Sequence, residues 1–238
     1  MLTTVILCGG RGIRLRPLTD RIPKALIPLN GKPCLQHIIE SYIRKGYRRF
    51  VLCVGYQGEM IVDFFRRQTF DAEIEFSDAG EQASMLERIY QARSFIGERA
   101  FVAYGDTLID VDLAKMLAYH ITSGAAVTLT TAGVRSPFGL VKATKDGWVV
   151  SFEEKPVQPY YIGHMLTERA VLDEVDPELL RMPDGGGLVT LFQRLIEKRR
   201  LRLYPYTGPQ ITFNTQQDLV QAERDLLTFF THQERESR

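Results

Sequence analysis

The chain has 238 residues, 45% hydrophobic and 25% charged, which suits one globular domain with a sizeable core and excludes a disordered or fibrous class. Thirty Lys and Arg against 29 Asp and Glu leave a formal charge of +1. That balance gives no global electrostatic footprint for nucleic acid or a membrane surface, so an anionic ligand must be held locally. No apolar run approaches the roughly 18 residues that span a bilayer. The stretch Met1 to Cys8 lacks the basic leader and the length of a signal peptide. Cys8, Cys34 and Cys53 show no paired spacing and read as free thiols of a reducing cytoplasm.

Strand-like and helix-like segments alternate through the first half. Thr4-Val5-Ile6-Leu7-Cys8 is a continuous apolar run stopped by Gly9-Gly10, the pattern of a buried central strand. Pro33 opens a segment with Leu35, Ile38, Ile39, Tyr42 and Ile43 at helical spacing, closed by Gly46. Phe50 to Val54 predicts a second strand, Met60 to Phe65 a helix, and Ala72 to Phe76 a third strand. Ser84 to Phe95 predicts a helix and Ala100 to Tyr104 a fourth strand, ended by Gly105-Asp106. Such alternation implies an open α/β architecture: a Rossmann-like, mostly parallel sheet sandwiched by helices, with ligands at the carboxyl ends of its strands.

After Asp112 the rhythm changes. A helix to about Ser123 and a strand at Ala126 to Thr130 precede two short β segments, Leu140 to Ala143 and Trp148 to Phe152, joined through the turn signal Asp146-Gly147. Val157 to Gly187 is rich in Pro and Gly and reads as loops covering a site. A helix, a strand and a helix follow at 188–199, 201–206 and 216–231, and the polar end, His232 to Arg238, is expected to fray. Without a repeat or a low-complexity linker, residues 1–238 read as a single domain. Its nucleotide-binding half covers about 1–112, and its second half, about 113–231, carries a small inserted β region for the other substrate.

The stretch from Cys8 to Thr19 holds Gly9, Gly10 and Gly12 with Arg11, Arg14 and Arg16, and Pro23-Lys24-Ala25-Leu26 follows. Glycines let backbone N–H groups approach a phosphate chain. The dinucleotide fingerprint would need a third Gly where Leu15 stands, and the P-loop would need Gly-Lys-Ser/Thr, which is absent. Cations in and beyond the loop suit a triphosphate whose leaving pyrophosphate develops negative charge; a tight turn with solvated arginines is the plainer alternative.

These residues resemble the signature of the sugar-1-phosphate nucleotidyltransferases, Gly-Gly-x-Gly-Thr-Arg-Leu-x-Pro-Leu-Thr then Pro-Lys-Pro, with Ile13 for the Thr and Ala25 for the second Pro. The likeness continues through Gly31-Lys32-Pro33, Gly55-Tyr56, Tyr104-Gly105-Asp106 and Phe152-Glu153-Glu154-Lys155-Pro156, about two-thirds of the chain in order. Within that family it is nearest the cytidylyltransferase branch, through residues 31–38, 51–61 and Asp78-Ala79-Gly80 with Leu86-Glu87-Arg88-Ile89. The resemblance implies the nucleotide-diphospho-sugar transferase fold, an NTP (CTP by branch) and a sugar 1-phosphate as substrates, and release of pyrophosphate. It implies that Arg14 and Lys24 hold the triphosphate, that Asp106 binds Mg²⁺ and that Lys155 contacts the sugar phosphate. Leu7, Gly9, Gly10, Gly12, Gly80 and Gly105 would line the nucleotide, and Gly163 and His164 the sugar. Members are often oligomeric, so a homo-oligomer is expected by analogy.

Read without the family, Asp106 could serve a hard cation at the sheet's carboxyl edge or cap the helix near Asp110 to Leu117, and Asp110 or Asp112 fits that cap better. Glu153 could accept from sugar hydroxyls, and Lys155 could equally belong to a surface ion cluster. His37, His120, His164 and His232 share no metal-ligand spacing. The sugar-side stretch reads Tyr161-Ile162-Gly163-His164-Met165, away from the family's Asn-x-Gly form. Asn214 stands where a second metal-binding Asp is usual, and Asp218, four residues on, is the competing ligand. The alternatives are the same chemistry with GTP, UTP or dTTP, and a catalytically weak nucleotide-binding regulatory subunit.

Overall fold

Strand β1 (Thr3–Leu7) is buried from Thr3 to Ile6 in the computed structural model, which describes residues 2–183 and 185–229. Its β-branched run packs on both faces, which only a central strand allows. The two-residue strands β2 (Pro28–Leu29) and β3 (Lys32–Pro33), helix α1 (Cys34–Arg44), strand β4 (Arg49–Val54) and helix α2 (Gly58–Arg66) come next. Strand β5 (Glu73–Asp78), helix α3 (Met85–Gln91) and strand β6 (Arg99–Tyr104) complete the first half. Helix α1 buries Leu35, Ile38, Ile39 and Tyr42 along one stripe, and Gly46, at φ 87°, takes the left-handed conformation just past its end.

The second half opens with β7 (Thr107–Ile109) and α4 (Leu113–Ser123), followed by β8 (Val127–Arg135), β9 (Leu140–Ala143), β10 (Val149–Glu153) and β11 (Val157–Glu168). Helices α5 (Arg169–Asp173), α6 (Pro177–Leu180) and α7 (Gly186–Glu197), strands β12 (Leu201–Tyr206) and β13 (Gln210–Thr212), and helix α8 (Gln216–Phe229) follow. The main sheet has the order β12-β8-β11-β6-β1-β4-β5, and β11 runs antiparallel to both neighbours while the remaining pairings are parallel. Side chains alternate across this sheet into two cores. One gathers Ile6, Phe50, Leu52 and Phe101 against α1; the other gathers Val5, Val51 and Val102 against α3 and α7. This is the open, mostly parallel sandwich expected.

The stretch from Val157 to Gly187 is not the loop region expected. It forms the longest strand, β11, and helices α5 and α6. Its prolines are tolerated for local reasons. Pro159 lies where β11 pairs with β8 alone, so its missing N–H costs no ladder bond on the other side. Pro177 sits in the first turn of α6 behind the capping Asp176. Strands β9 and β10 pair only with each other, through a turn with Gly147 at φ 94°, and their residues are exposed except for the half-buried Leu140. The arm carries Phe138 at 75% and Trp148 at 74% exposure. Among the described residues no helix is long and apolar enough to cross a membrane. The end of the final helix expected to 231, and the segment His232 to Arg238, lie outside the described residues.

Candidate active site

The turn after β1 is shaped by close approach of backbone to side chains. Gly12 sits at φ 59°, where a Cβ would stand 3.0 Å from Thr19 Cγ2 and 3.1 Å from Lys24 Cβ. The Thr19 hydroxyl donates to the Gly12 carbonyl at 3.0 Å, and buried Leu15 pins the following 3-10 turn to the core. That turn leaves Arg14 in solvent. A second 3-10 turn, Lys24–Leu26, buries Ala25 and Leu26 and holds Lys24 half-buried beside it. At the end of β6, Gly105 donates to the Leu7 carbonyl at 2.9 Å, and a Cβ there would stand 2.9 Å from Cys8 Cβ. The Gly105–Asp106 turn is thereby drawn against the glycine loop.

A short antiparallel ribbon supplies the remaining side of the site. Strand β13 pairs with β7 so that Thr212 faces Thr107, and the chain leaving β13 passes Asp106, the residue before β7. Asn214 Oδ1 therefore accepts from Arg14 Nη2 at 2.8 Å and from Lys24 Nζ at 3.1 Å, while Lys24 also pairs with the Asp106 carboxylate. Four residues named from sequence, Arg14, Lys24, Asp106 and Asn214, thus converge. Asp106 is free of the capping role, because α4 is capped by Asp112, which accepts from Lys115 N at 2.9 Å. Asp218 is engaged at the start of α8: its Oδ2 accepts from the backbone N–H groups of Asn214 and Thr215, both at 2.9 Å. Thr215 Oγ1 accepts in return from Asp218 N. That reciprocal pair closes the start of α8. The two backbone donors, Asn214 first, hold the Asp218 carboxyl below the usual range.

Arg14, Lys24 and Asp106 line a cleft of about 610 Å³ at the carboxyl ends of β1 and β6. Leu7, Gly9, Gly10 and Gly12 form one wall, and Gly105 and Asp106 the floor beside Lys24. The far wall is the segment from Glu81 to Met85, which starts α3 with Ser84 accepting from Glu87 N at 3.1 Å. Arg11 reaches across to pair with Glu81 at 2.8 Å and stacks over the Tyr56 ring. Cys8 lines the floor, but burial pushes its thiol well above the ordinary value, so it is held as a neutral thiol. Gly80 is not in the wall. Its φ of 90° and its N–H on Asp78 Oδ1 at 2.8 Å make the turn that delivers Glu81 there.

Arg88 is a cleft residue that the helical reading of 84–95 passed over. It is 5% exposed, and its Nη1 donates to the Val54 carbonyl and its Nη2 to the Glu81 carbonyl at 3.2 Å. Its guanidinium occupies the space that Cβ atoms on Gly9 and Gly55 would fill; a Cβ on Gly55 would stand 2.7 Å from Nη2. The glycines flanking a buried arginine were the available signal.

On the sugar side the expectations need correction. His164 is 1% exposed; its Nδ1 bonds Thr130 Oγ1 and its Nε2 the Tyr42 hydroxyl, both at 2.7 Å. A ring with both nitrogens engaged in the core does not face the cleft. Gly163, at φ 72° in the irregular stretch between Tyr161 and Met165, makes room for the Tyr104 ring, whose Cγ would lie 2.6 Å from a Cβ. It supports the cleft indirectly, through Tyr104. Glu153 and Lys155 stand on the exposed arm outside the cleft, with Lys155 at φ 45° and its Nζ 3.9 Å from Glu154.

The nucleotidyl transferase family model matches residues 3–171. A Bacillus subtilis (strain 168) protein named "Probable glucose-1-phosphate cytidylyltransferase" is 35% identical over 252 residues, which cover 94% of this chain and 95% of the relative. The D-glycero-alpha-D-manno-heptose 1-phosphate guanylyltransferase of Campylobacter jejuni is 32% identical over 154 residues, covering 65% of this chain and 69% of that protein. The solved structure of HddC from Yersinia pseudotuberculosis, complexed with GMP-PN, superposes with a TM-score of 0.74 at 19% identity, covering 95% of this chain and 100% of that one. The match over most of the chain, on a sheet that presents its glycine loop and cationic residues at the strand ends, makes this protein a member of the nucleotidyl transferase family.

Proposed function

We propose that the cleft joins a nucleoside triphosphate, CTP by preference, to a sugar 1-phosphate and releases pyrophosphate. The observation that carries this reading is the convergence of Arg14, Lys24, Asp106 and Asn214 beside the glycine loop. In-line transfer needs no covalent nucleophile: an oxygen of the sugar phosphate attacks the α-phosphorus, the bond to the β-phosphate breaks, and pyrophosphate leaves with the electron pair. Arg14 and Lys24 orient the triphosphate and balance the charge that grows on the leaving group. The likeness to relatives named as cytidylyl- and guanylyltransferases supports the reaction class, and the fuller coverage of the first favours CTP.

Asp106 Oδ2 and Asn214 Oδ1 both face Lys24 Nζ, so two oxygen ligands converge on one positively charged point, a donor set that fits Mg²⁺. When bound, the ion would neutralise phosphate charge and polarise the α-phosphate. Among the described residues no three His, Cys, Asp or Glu are grouped to hold a metal unaided, which supports an ion that binds together with the nucleotide. The Phe152-to-Pro156 resemblance supports giving Lys155 the sugar phosphate and Glu153 the sugar hydroxyls, although the arm that carries them stands outside the cleft. The exposed aromatic residues of that arm, Phe138, Trp148 and Phe152, support a homo-oligomer, and the free cysteines Cys8, Cys34 and Cys53 support a cytoplasmic setting.

Pyrophosphate release measured with CTP, UTP, dTTP and GTP against a panel of sugar 1-phosphates, with and without Mg²⁺, tests the reading. Mg²⁺-dependent release, fastest with CTP, is expected. Nucleotide binding without turnover for every pair would instead favour a regulatory subunit.

A further inference from the structure

Arg11 is a cleft cation to which the reaction described above gives no task. It lies between Gly10 and Gly12, so its backbone belongs to the glycine loop proposed to cradle the triphosphate. Its side chain does not stay there. Nη2 crosses to the far wall and meets Glu81 Oε1 at 2.8 Å, and both residues line the cleft. The pair thus bridges the two walls.

This bridge is built to part easily. Its side chains are 40% and 42% exposed, and ion pairs at that exposure are screened and contribute little to stability. The Arg11 end rests on a flat surface: its guanidinium lies over the Tyr56 ring, 5.5 Å from the centroid. Tyr56 is tied to the same loop, its N–H donating to the Gly9 carbonyl at 3.0 Å. A guanidinium on a ring face can turn to a new partner and keep that support. A Cβ on Gly10 would meet no atom of the described residues within 4 Å, its chain neighbours aside, so the arginine has room to turn.

Glu81 is the fixed end. Arg88 Nη2 donates to its carbonyl at 3.2 Å, which holds its backbone on the wall. A carboxylate held there repels a triphosphate in the cleft. Arg11 masks that charge while paired, yet the arginine fork also matches phosphate oxygens bidentately. We infer that Arg11 is a third ligand of the triphosphate, held on Glu81 until the nucleotide takes it over. This rests on the proposed reading of the cleft as a nucleoside triphosphate site. The two partners of the ion pair then act in opposite directions on binding: Arg11 strengthens it and Glu81 opposes it. A bridge that only braced the walls would make the two losses equivalent.

Calorimetric affinity for inorganic triphosphate tests this without reference to base or turnover. It is measured in about 0.5 M KCl, where the screening length is about 4 Å and charges out of contact count little. Arg11→Ala is expected to bind at least fivefold more weakly than the parent, and Glu81→Gln at least twofold more tightly. The charge-swapped protein, Arg11→Glu with Glu81→Arg, keeps a bridge but moves its cation to the far wall, and should stay as weak as Arg11→Ala. Thermal melts verify that each variant folds. Changes of the same sign in the two single variants, parental affinity in the swapped protein, or unaltered affinity in Arg11→Ala would each overturn the inference. If the expected signs appear but no nucleotide pair releases pyrophosphate, the proposed function fails and the exchange of partners stands. Turnover with CTP alongside affinities insensitive to both residues would do the converse.

Discussion

Asn214 Oδ1 accepts from Arg14 Nη2 at 2.8 Å, although 200 positions separate the two residues. The same oxygen accepts from Lys24. A neutral amide therefore does the work of orienting two cations, at one charge less than an aspartate would bring. Asn214→Asp is expected to lower the Mg²⁺ concentration giving half-maximal rate, because a carboxylate binds a hard cation more strongly than an amide oxygen. Asn214→Ala should raise that concentration and lower kcat/KM by about fivefold, the scale of one lost hydrogen bond of roughly 1 kcal/mol. A Mg²⁺ titration of rate for the three proteins checks both, and identical curves would detach Asn214 from the site.

Arg14→Ala and Lys24→Ala should each cost about 2–4 kcal/mol of transition-state stabilisation, the scale of one preorganised donor. The two should differ in stability. Arg14 is exposed, so its melting temperature should hold, whereas the Lys24 side chain is only 12% exposed and its loss strips Asp106 of its partner. Steady-state kinetics and calorimetric melts of both variants, measured side by side, separate charge from folding.

The two acids near the ribbon should behave oppositely. Asp106→Asn should abolish nearly all turnover, since among the described residues no group of acids is placed to hold the ion in its stead. Asp218→Asn should keep activity but lose about 1 kcal/mol of stability, because it weakens the reciprocal cap at the start of α8. Retained activity in Asp106→Asn together with its loss in Asp218→Asn would reverse the two roles.

Burial pushes the His164 imidazole down to about 3, with Lys45 adding to the shift, while the unfolded chain titrates near 6.5. The native state thus binds fewer protons than the unfolded state between these values. Its contribution to stability is fully present above pH 6.5 and is lost as pH falls toward 3. His120 and His37 are lowered by burial too and act in the same direction. Denaturant unfolding between pH 5 and 7 should show stability falling with acidity. His164→Gln should make that slope shallower by up to about 1.4 kcal/mol per pH unit, the value for one proton. An unchanged slope would mean that the ring already takes up its proton in the folded state.

The strands of the first half were legible because their cores are continuous apolar runs ended by glycine, and a buried strand has little freedom to read otherwise. The glycine loop and its cations were legible for a similar reason, since few other functions need those residues together. The ribbon of β7 and β13 was not, because three residues show no periodicity and its pairing joins segments a hundred positions apart. Arg88 was hidden inside a helical pattern, and only the glycines packed on it in space reveal its place. His164 misled in the other direction: a polar residue in the expected substrate stretch is satisfied by Thr130 and Tyr42 within the core.

The joining of β13 to β7 also sets an order of assembly. A chain made from its N-terminus can form β1, its glycine loop and the neighbouring strands early, since those pairings close within the first 104 residues. Arg14, Lys24 and Asp106 would then be present without Asn214, which arrives only after β13 has docked. A nascent chain halted before residue 210 would hold most of the sheet and its glycine cradle, yet lack the acceptor that gathers the two cations. Competence would come as a late step of biosynthesis, separate from the collapse that makes the core.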